Sequence, residues 1–372
     1  MQLRSRAILL WAGTLLVLTA CASPIPQAKS DGAPRPAPAV KKRATLAASS
    51  SLVSVGSTFV AALPGAADVN SLLDAGLTNS SPTVVRAPQL AEVIPSTENG
   101  LWKVLSDGKM ETTWKLQPNA SWHDGTAFTA DDLLFTFDVY TDKQLAARAV
   151  PLHNSVQSLE AVDPHTLLIR WKTINISADQ MFSTTDLPLP RHLLEGPYQA
   201  SKEAFQGIPF WTRDYVGTGP FRLKEFAEGS HVVMEAYPDY FLGRPLIDEI
   251  VVRFIPDSRT LVANVLAGEI DITLGRGLSS DQAAQLMNTW KGRVELDAGA
   301  PNHVSPQHGA IREPEIIGNA DFRRALFQAI DRQEMANVLT GGLGAIAHSG
   351  LPYGDPTYRE AEAGVVKYAF DP

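Results

Sequence analysis

Apolar and polar positions alternate along this chain in two distinct rhythms. Met110, Thr112, Trp114 and Leu116 share one face of a period-two run with Lys115 on the other, which predicts a half-buried strand. Leu167, Ile169 and Trp171 predict a second. Phe221–Phe226 and His231–Tyr237 predict a hairpin around Ala227-Glu228-Gly229-Ser230, and Glu249–Ile255 a Val/Ile strand ending at Pro256. Ile270-Asp271-Ile272 reads as a further strand, and Leu52–Phe59 as the first of the set. Helical spacing takes over elsewhere. Thr129 is placed to cap a helix carrying Leu133, Leu134, Phe137 and Thr141, with Asp131 and Asp132 in its first turn, where they complement the helix dipole. Ser258 is placed to cap another, with Leu261, Val262, Val265 and Leu266 along it and Gly268 at its stop. Asn319 is predicted to open a single helix striped by Phe322, Ala325, Leu326, Ala329 and Ile330 and closed at Gly341-Gly342. The expected class is mixed α/β.

The amino terminus follows neither rhythm. Arg4 and Arg6 precede an uncharged, mostly apolar run, Ala7–Leu18, too short for the roughly 20 residues that span a bilayer. A secretory signal over residues 1–20 is the expected reading. The junction Leu18-Thr19-Ala20-Cys21 is similar to a bacterial lipobox, which implies lipid attachment at Cys21. Residues 21–50, with Pro24, Pro26, Pro34, Pro36 and Pro38, read as an extended tether in which Lys41-Lys42-Arg43 is a solvated charge cluster; order is expected from about Ser51.

Composition narrows the function classes. The 372 residues are 44% hydrophobic and 19% charged, enough to bury a large core. The formal net charge of −8 argues against nucleic-acid binding, and a single cysteine excludes a disulfide framework and a cysteine-rich zinc site. His123-Asp124 with Asp131-Asp132 is explained by a turn followed by a helix start. His303 and His308, five apart among prolines, do not share a helix face as zinc-binding pairs do. Gly217-Thr218-Gly219-Pro220 reads as a tight turn entering a strand, and the glycines after the last predicted helix do not open one, as a dinucleotide fingerprint would. No catalytic motif, cofactor site or metal site emerges.

Three ordered stretches carry a resemblance. The first runs through Gly76-Leu77-Thr78, Pro88–Glu92, Glu98-Asn99-Gly100, Ser106-Asp107-Gly108, Trp122–Thr126 and Phe128–Asp132. The second is Val216–Phe221, Pro238–Phe241, Ile247–Ile250 and Gly268–Asp271, and the third is Phe322–Leu326 with Ala329–Arg332. Together they resemble the peptide/nickel class of ABC-importer solute-binding proteins, extracellular family 5. The resemblance implies a bilobed, type II periplasmic-binding-protein-like α/β fold that closes on a ligand held between its lobes. It implies a first lobe from 51–83 and 187–277, an inserted subdomain at 84–186, and the start of a second lobe at 278–372.

Two departures accompany it. Asn302–Ile317 lacks the family's asparagine-centred strand, and family members continue well beyond this length. The second lobe is therefore expected to be incomplete, with Gly354–Pro372 poorly packed. The function implied is capture of oligopeptides by a monomer anchored to the membrane through Cys21, outside the cytoplasm, for delivery to an ABC permease and its ATPase. Candidate ligand contacts are Thr78, Asn79, Trp211 and Tyr215. A nickel chelate, a sugar or an opine are alternative ligands. An extracellular hydrolase and an adhesion or signalling lipoprotein are alternative functions.

Overall fold

The computed structural model describes residues 41–56, 59, 63, 65–80, 86–145, 147, 149–275, 277–293, 315–341, 344, 346–349 and 356–372. The signal segment, Cys21, the proline-rich stretch and the pair His303 and His308 lie outside the described residues. In chain order the strands are β1 (Arg43–Ala48), β2 (Thr78–Ser80), β3 (Arg86–Pro88), β4 (Trp102–Val104), β5 (Met110–Lys115), β6 (Val156–Asp163), β7 (Thr166–Trp171), β8 (Phe221–Ala227), β9 (His231–Ala236), β10 (Glu249–Phe254) and β11 (Ile272–Leu274). The helices are α1 (Ala66–Leu73), α2 (Ala130–Thr141), α3 (Arg191–Ala200), α4 (Lys202–Phe205), α5 (Ser258–Leu266), α6 (Ser280–Thr289), α7 (Ala320–Gln328), α8 (Arg332–Thr340) and α9 (Pro356–Ala361).

Two main sheets organise these elements. The larger has the order β11-β1-β10-β9-β8, and the smaller is the antiparallel set β4-β5-β7-β6. A two-stranded ribbon, β2–β3, stands apart. Within the larger sheet, β1 runs parallel to both neighbours, with Leu46 opposite Val252 and Ile272. The predicted hairpin is present as β8–β9, with Gly229 at φ 73° in its turn.

Order begins earlier than expected. Residues 43–48 form an interior strand of the larger sheet and are not part of a tether. Ala47 and Ala48 are fully buried, because a strand between parallel neighbours is covered on both faces and small residues suffice there. Leu52–Gly56, expected as the first strand, is irregular chain held by Val55 N–H on the Trp211 carbonyl at 2.9 Å. The single helix expected from Asn319 is two, α7 and α8. Asp331 stops the first and caps the second by accepting from Glu334 N–H at 2.9 Å. Asp257, rather than Ser258, caps α5 through Thr260 N–H at 2.7 Å.

Each main sheet has its own core. Leu46, Leu73, Phe205, Trp211, Val232 and Val252 belong to the first; Leu77, Trp114, Trp122, Phe128, Trp171 and Phe182 belong to the second. Ala75 and Leu77 thus pack in the second core, ahead of the Val84 boundary that the resemblance implies. Helix α2 serves both: Leu133 faces the second core, while Phe135, Val139 and Tyr140 face the first. A third, smaller cluster joins Ala47 to Leu261, Val265 and Ile270, and Leu286 of α6 packs into it. Past Leu278 the described residues form helices and 3₁₀ turns without a strand. In the tail Tyr358 is buried, but Val366 is 65% and Phe370 49% exposed.

Candidate ligand-binding site

Two chain segments cross face to face where the two cores meet. One is the exit from α1, Leu73–Leu77; the other is Val216–Pro220, entering β8. Gly219 N–H donates to the Leu73 carbonyl at 2.8 Å. Thr218 Oγ1 accepts from Ala75 N–H at 3.0 Å and lies 3.2 Å from the Ala75 carbonyl, which it reaches as donor. A Cβ on Gly217 would stand 2.1 Å from the Leu73 oxygen, so this approach requires glycine.

His123 clamps the crossing. Its Nδ1 accepts from Gly217 N–H at 3.1 Å, which leaves Nε2 as the protonated nitrogen, donating to the Gly219 carbonyl at 3.0 Å. Burial pushes its pKa down to about 4, so the ring is neutral and structural. Below it, Asp74 is buried at the end of α1. Its Oδ2 accepts from Tyr215 at 2.7 Å, while Oδ1 has no hydrogen-bond donor among the described residues. Burial raises this carboxyl to about 7, against the lowering effect of the Tyr215 hydrogen bond.

The four candidate contacts fall into two places. Thr78 is buried, with Oγ1 2.8 Å from Ser183 Oγ and accepting from Arg86 Nη1 at 3.3 Å; Arg86 is in turn paired with Asp179 at 3.0 Å. Asn79 is exposed on the β2–β3 ribbon opposite Ala87. Trp211 and Tyr215 instead sit together in the first core, linked through Phe210. Trp211 Nε1 donates to the Phe205 carbonyl at 2.7 Å, and its ring stands edge-to-face with Phe59 at 5.0 Å. Tyr215 packs under Gly56, whose φ of 81° and close approach (a Cβ would meet the ring at 2.9 Å) exclude a side chain.

Beside Trp211 a cavity of about 300 Å³ opens between Val53, Ser54, Gly56 and Phe59 on one side and Gln206, Gly207, Ile208 and Thr212 on the other. Gly56, Phe59, Gln206 and Gly207, none of them singled out by the sequence reading, contribute to its wall. The signal available for them was slight: a glycine-containing irregular stretch beside an aromatic-rich one. Among the described residues, no cluster of three or more His, Cys, Asp or Glu could hold a metal ion. No helix of the described residues is long and apolar enough to cross a membrane.

The family model for bacterial extracellular solute-binding proteins, family 5 Middle, matches residues 87–372. The chain belongs to this family. Among curated family 5 relatives, the oligopeptide-binding protein AppA of Bacillus subtilis is 27% identical over 283 residues, 76% of this chain and 48% of AppA. The chain thus spans about half the length of that relative. Among solved structures, AppA in complex with a nonapeptide superposes with a TM-score of 0.63 at 21% identity, over 86% of this chain and 60% of AppA's. NikZ of Campylobacter jejuni in complex with Ni(L-His) gives 0.61 at 19%, covering 84% and 58%. MoaA of A. tumefaciens R10 in complex with mannopinic acid gives 0.61 at 20%, covering 88% and 63%. The fold is accordingly α/β and of the bilobed type II periplasmic-binding-protein kind, and the family 5 proteins are extracellular solute binders rather than enzymes.

Proposed function

We propose that this chain is the binding component of an ABC importer, and that it captures oligopeptides by lobe closure and presents them to a permease and its ATPase. It acts outside the cytoplasm as a monomer, held to the membrane by lipid on Cys21. The observation that carries the reading is the family 5 match over residues 87–372, together with the similarity to the oligopeptide-binding protein AppA. The geometry is compatible with it. Residues 73–77 and 216–220 are held together by hydrogen bonds, which fixes the start of the β2–β3 ribbon; there Asn79 is exposed, whereas Thr78, Trp211 and Tyr215 are buried. Closure on a ligand needs tighter binding in the closed state and no chemistry.

Native mass spectrometry of the full-length protein as purified tests the reading. A co-purifying peptide mixture supports it. A nickel chelate, an opine or a sugar in its place overturns the choice of ligand, and turnover of a peptide panel without any permease overturns the binding role in favour of a hydrolase. Genes for a permease pair and ATPases beside this one would support import; their absence would favour an adhesion or signalling lipoprotein.

A further inference from the structure

The cavity beside Trp211 has a chemistry of its own. Its floor is closed and aromatic: Trp211 is 5% exposed, and Phe59 meets it at an interplanar angle of 90°. Its mouth is open, since Val53 is 52% exposed and Gly207 lies at the surface. Ser54, Gln206 and Thr212 add uncharged polar groups to the wall, and among the described residues that line it none is ionisable. At about 300 Å³ it stands at the lower limit of ligand pockets, the size for one large side chain rather than a whole solute. A charged group entering it would lose its hydration and find no counter-charge. A flat ring can instead extend the edge-to-face series that Phe59 and Trp211 begin.

We propose that this cavity is a side-chain pocket that selects an uncharged aromatic residue of the bound peptide. The identity of the guest as part of a peptide rests on the function proposed above; the pocket itself does not. All its described lining comes from Val53, Ser54, Gly56 and Phe59 on one side and from Gln206, Gly207, Ile208, Trp211 and Thr212 on the other.

Gly207 offers a clean way to close it. Its φ is not in the left-handed region, and a Cβ there meets only the Ala204 carbonyl oxygen, at 3.8 Å, so Gly207→Leu fills the mouth without backbone strain. Val53→Trp does the same from the opposite rim, starting from an exposed position. The experiment is isothermal titration of the full-length chain with pentaalanine, with its single-position Trp, Lys and Asp variants, and with N-acetyl-tryptophanamide alone. Trp at one position should tighten binding about tenfold or more over alanine. Lys or Asp at that position should give no gain. Both variants should erase the Trp preference, so that the Trp peptide and pentaalanine bind alike. Peptides that bind without a Trp preference, or with one that survives in both variants, overturn the pocket and leave peptide binding intact. Binding of N-acetyl-tryptophanamide that Gly207→Leu abolishes, with no peptide bound, keeps the pocket and overturns the peptide reading. No binding by any of these probes overturns both.

Discussion

Asp74 and His123 lie on opposite sides of the same crossing and titrate with opposite consequences. Burial lifts Asp74 from 3.8 to about 7, so between those values the folded protein keeps a proton that the unfolded chain releases. Stability therefore falls as pH rises across that window, by on the order of 4 kcal/mol in full. His123 is lowered from 6.5 to about 4, so the unfolded chain takes up a proton that the folded protein refuses, and stability falls as pH drops through that window. Between about pH 4 and 6.5 the two slopes oppose each other. Asp74→Asn removes one of them, and its stability should rise with pH over that range while the parent stays flatter. Urea midpoints of both proteins from pH 4 to 8 check this, since every other titrating group cancels in the difference; parallel profiles would refute it. The sequence made His123 legible as a turn residue, because Trp-His-Asp-Gly is turn chemistry. Asp74 was not legible, because a carboxylate at the end of an amphipathic helix ordinarily faces water. Trp211 and Tyr215 stood out as aromatic residues, but only packing reveals that they share one core while Thr78 and Asn79 lie on a separate ribbon.

The decisive element is α2. Its N-terminus is tied by Asp132, whose Oδ2 accepts from Thr129 N–H at 2.9 Å and from Trp122 Nε1 at 3.3 Å, while Oδ1 accepts from Arg191 N–H at 3.0 Å. One carboxylate thus joins the capping turn, the Trp122 loop and the start of α3. Asp132→Ala leaves these three donors and the Thr129 hydroxyl without their acceptor and should cost about 3 kcal/mol. Chemical denaturation at fixed pH should show this as a lower midpoint in a single transition, because α2 feeds both main cores; a loss well under 1 kcal/mol would reduce Asp132 to an ordinary surface cap. The sequence exposed β5 and β7 through their period-two alternation, β10 through its Val/Ile run, and the β8–β9 hairpin through its turn. β1 did not alternate, since both its faces are covered, Leu46 and Ala48 by the first core and Ala47 by the cluster of α5 and α6, and alanines carry little hydrophobic signal. The break between α7 and α8 was hidden for a different reason. The apolar stripe runs on through Ala329 and Ile330, and only the Asp331 cap divides it.

For the whole molecule, the family, the α/β class and the order of motifs were legible, because turn and cap residues recur at fixed offsets that a scaffold needs. The start of order was misplaced by several residues, as a basic cluster after a proline-rich stretch resembles linker. The lipid anchor proposed at Cys21 carries its own prediction. Cys21→Ser should move the protein from the membrane pellet to the soluble fraction and abolish incorporation of labelled fatty acid; a pelleting, unlabelled variant would show that some other feature holds it there. The placement of β1 also bears on how the chain is made. β1 is among the first folded residues to be synthesised, yet its partners β10 and β11 come about 200 residues later. At ordinary elongation rates of about 5–20 residues per second, that strand waits roughly 10–40 s with its backbone unpaired. Its neighbours in the sheet arrive last, so the larger sheet cannot close co-translationally from the front. A nascent chain halted before Glu249 should be the species that needs a chaperone.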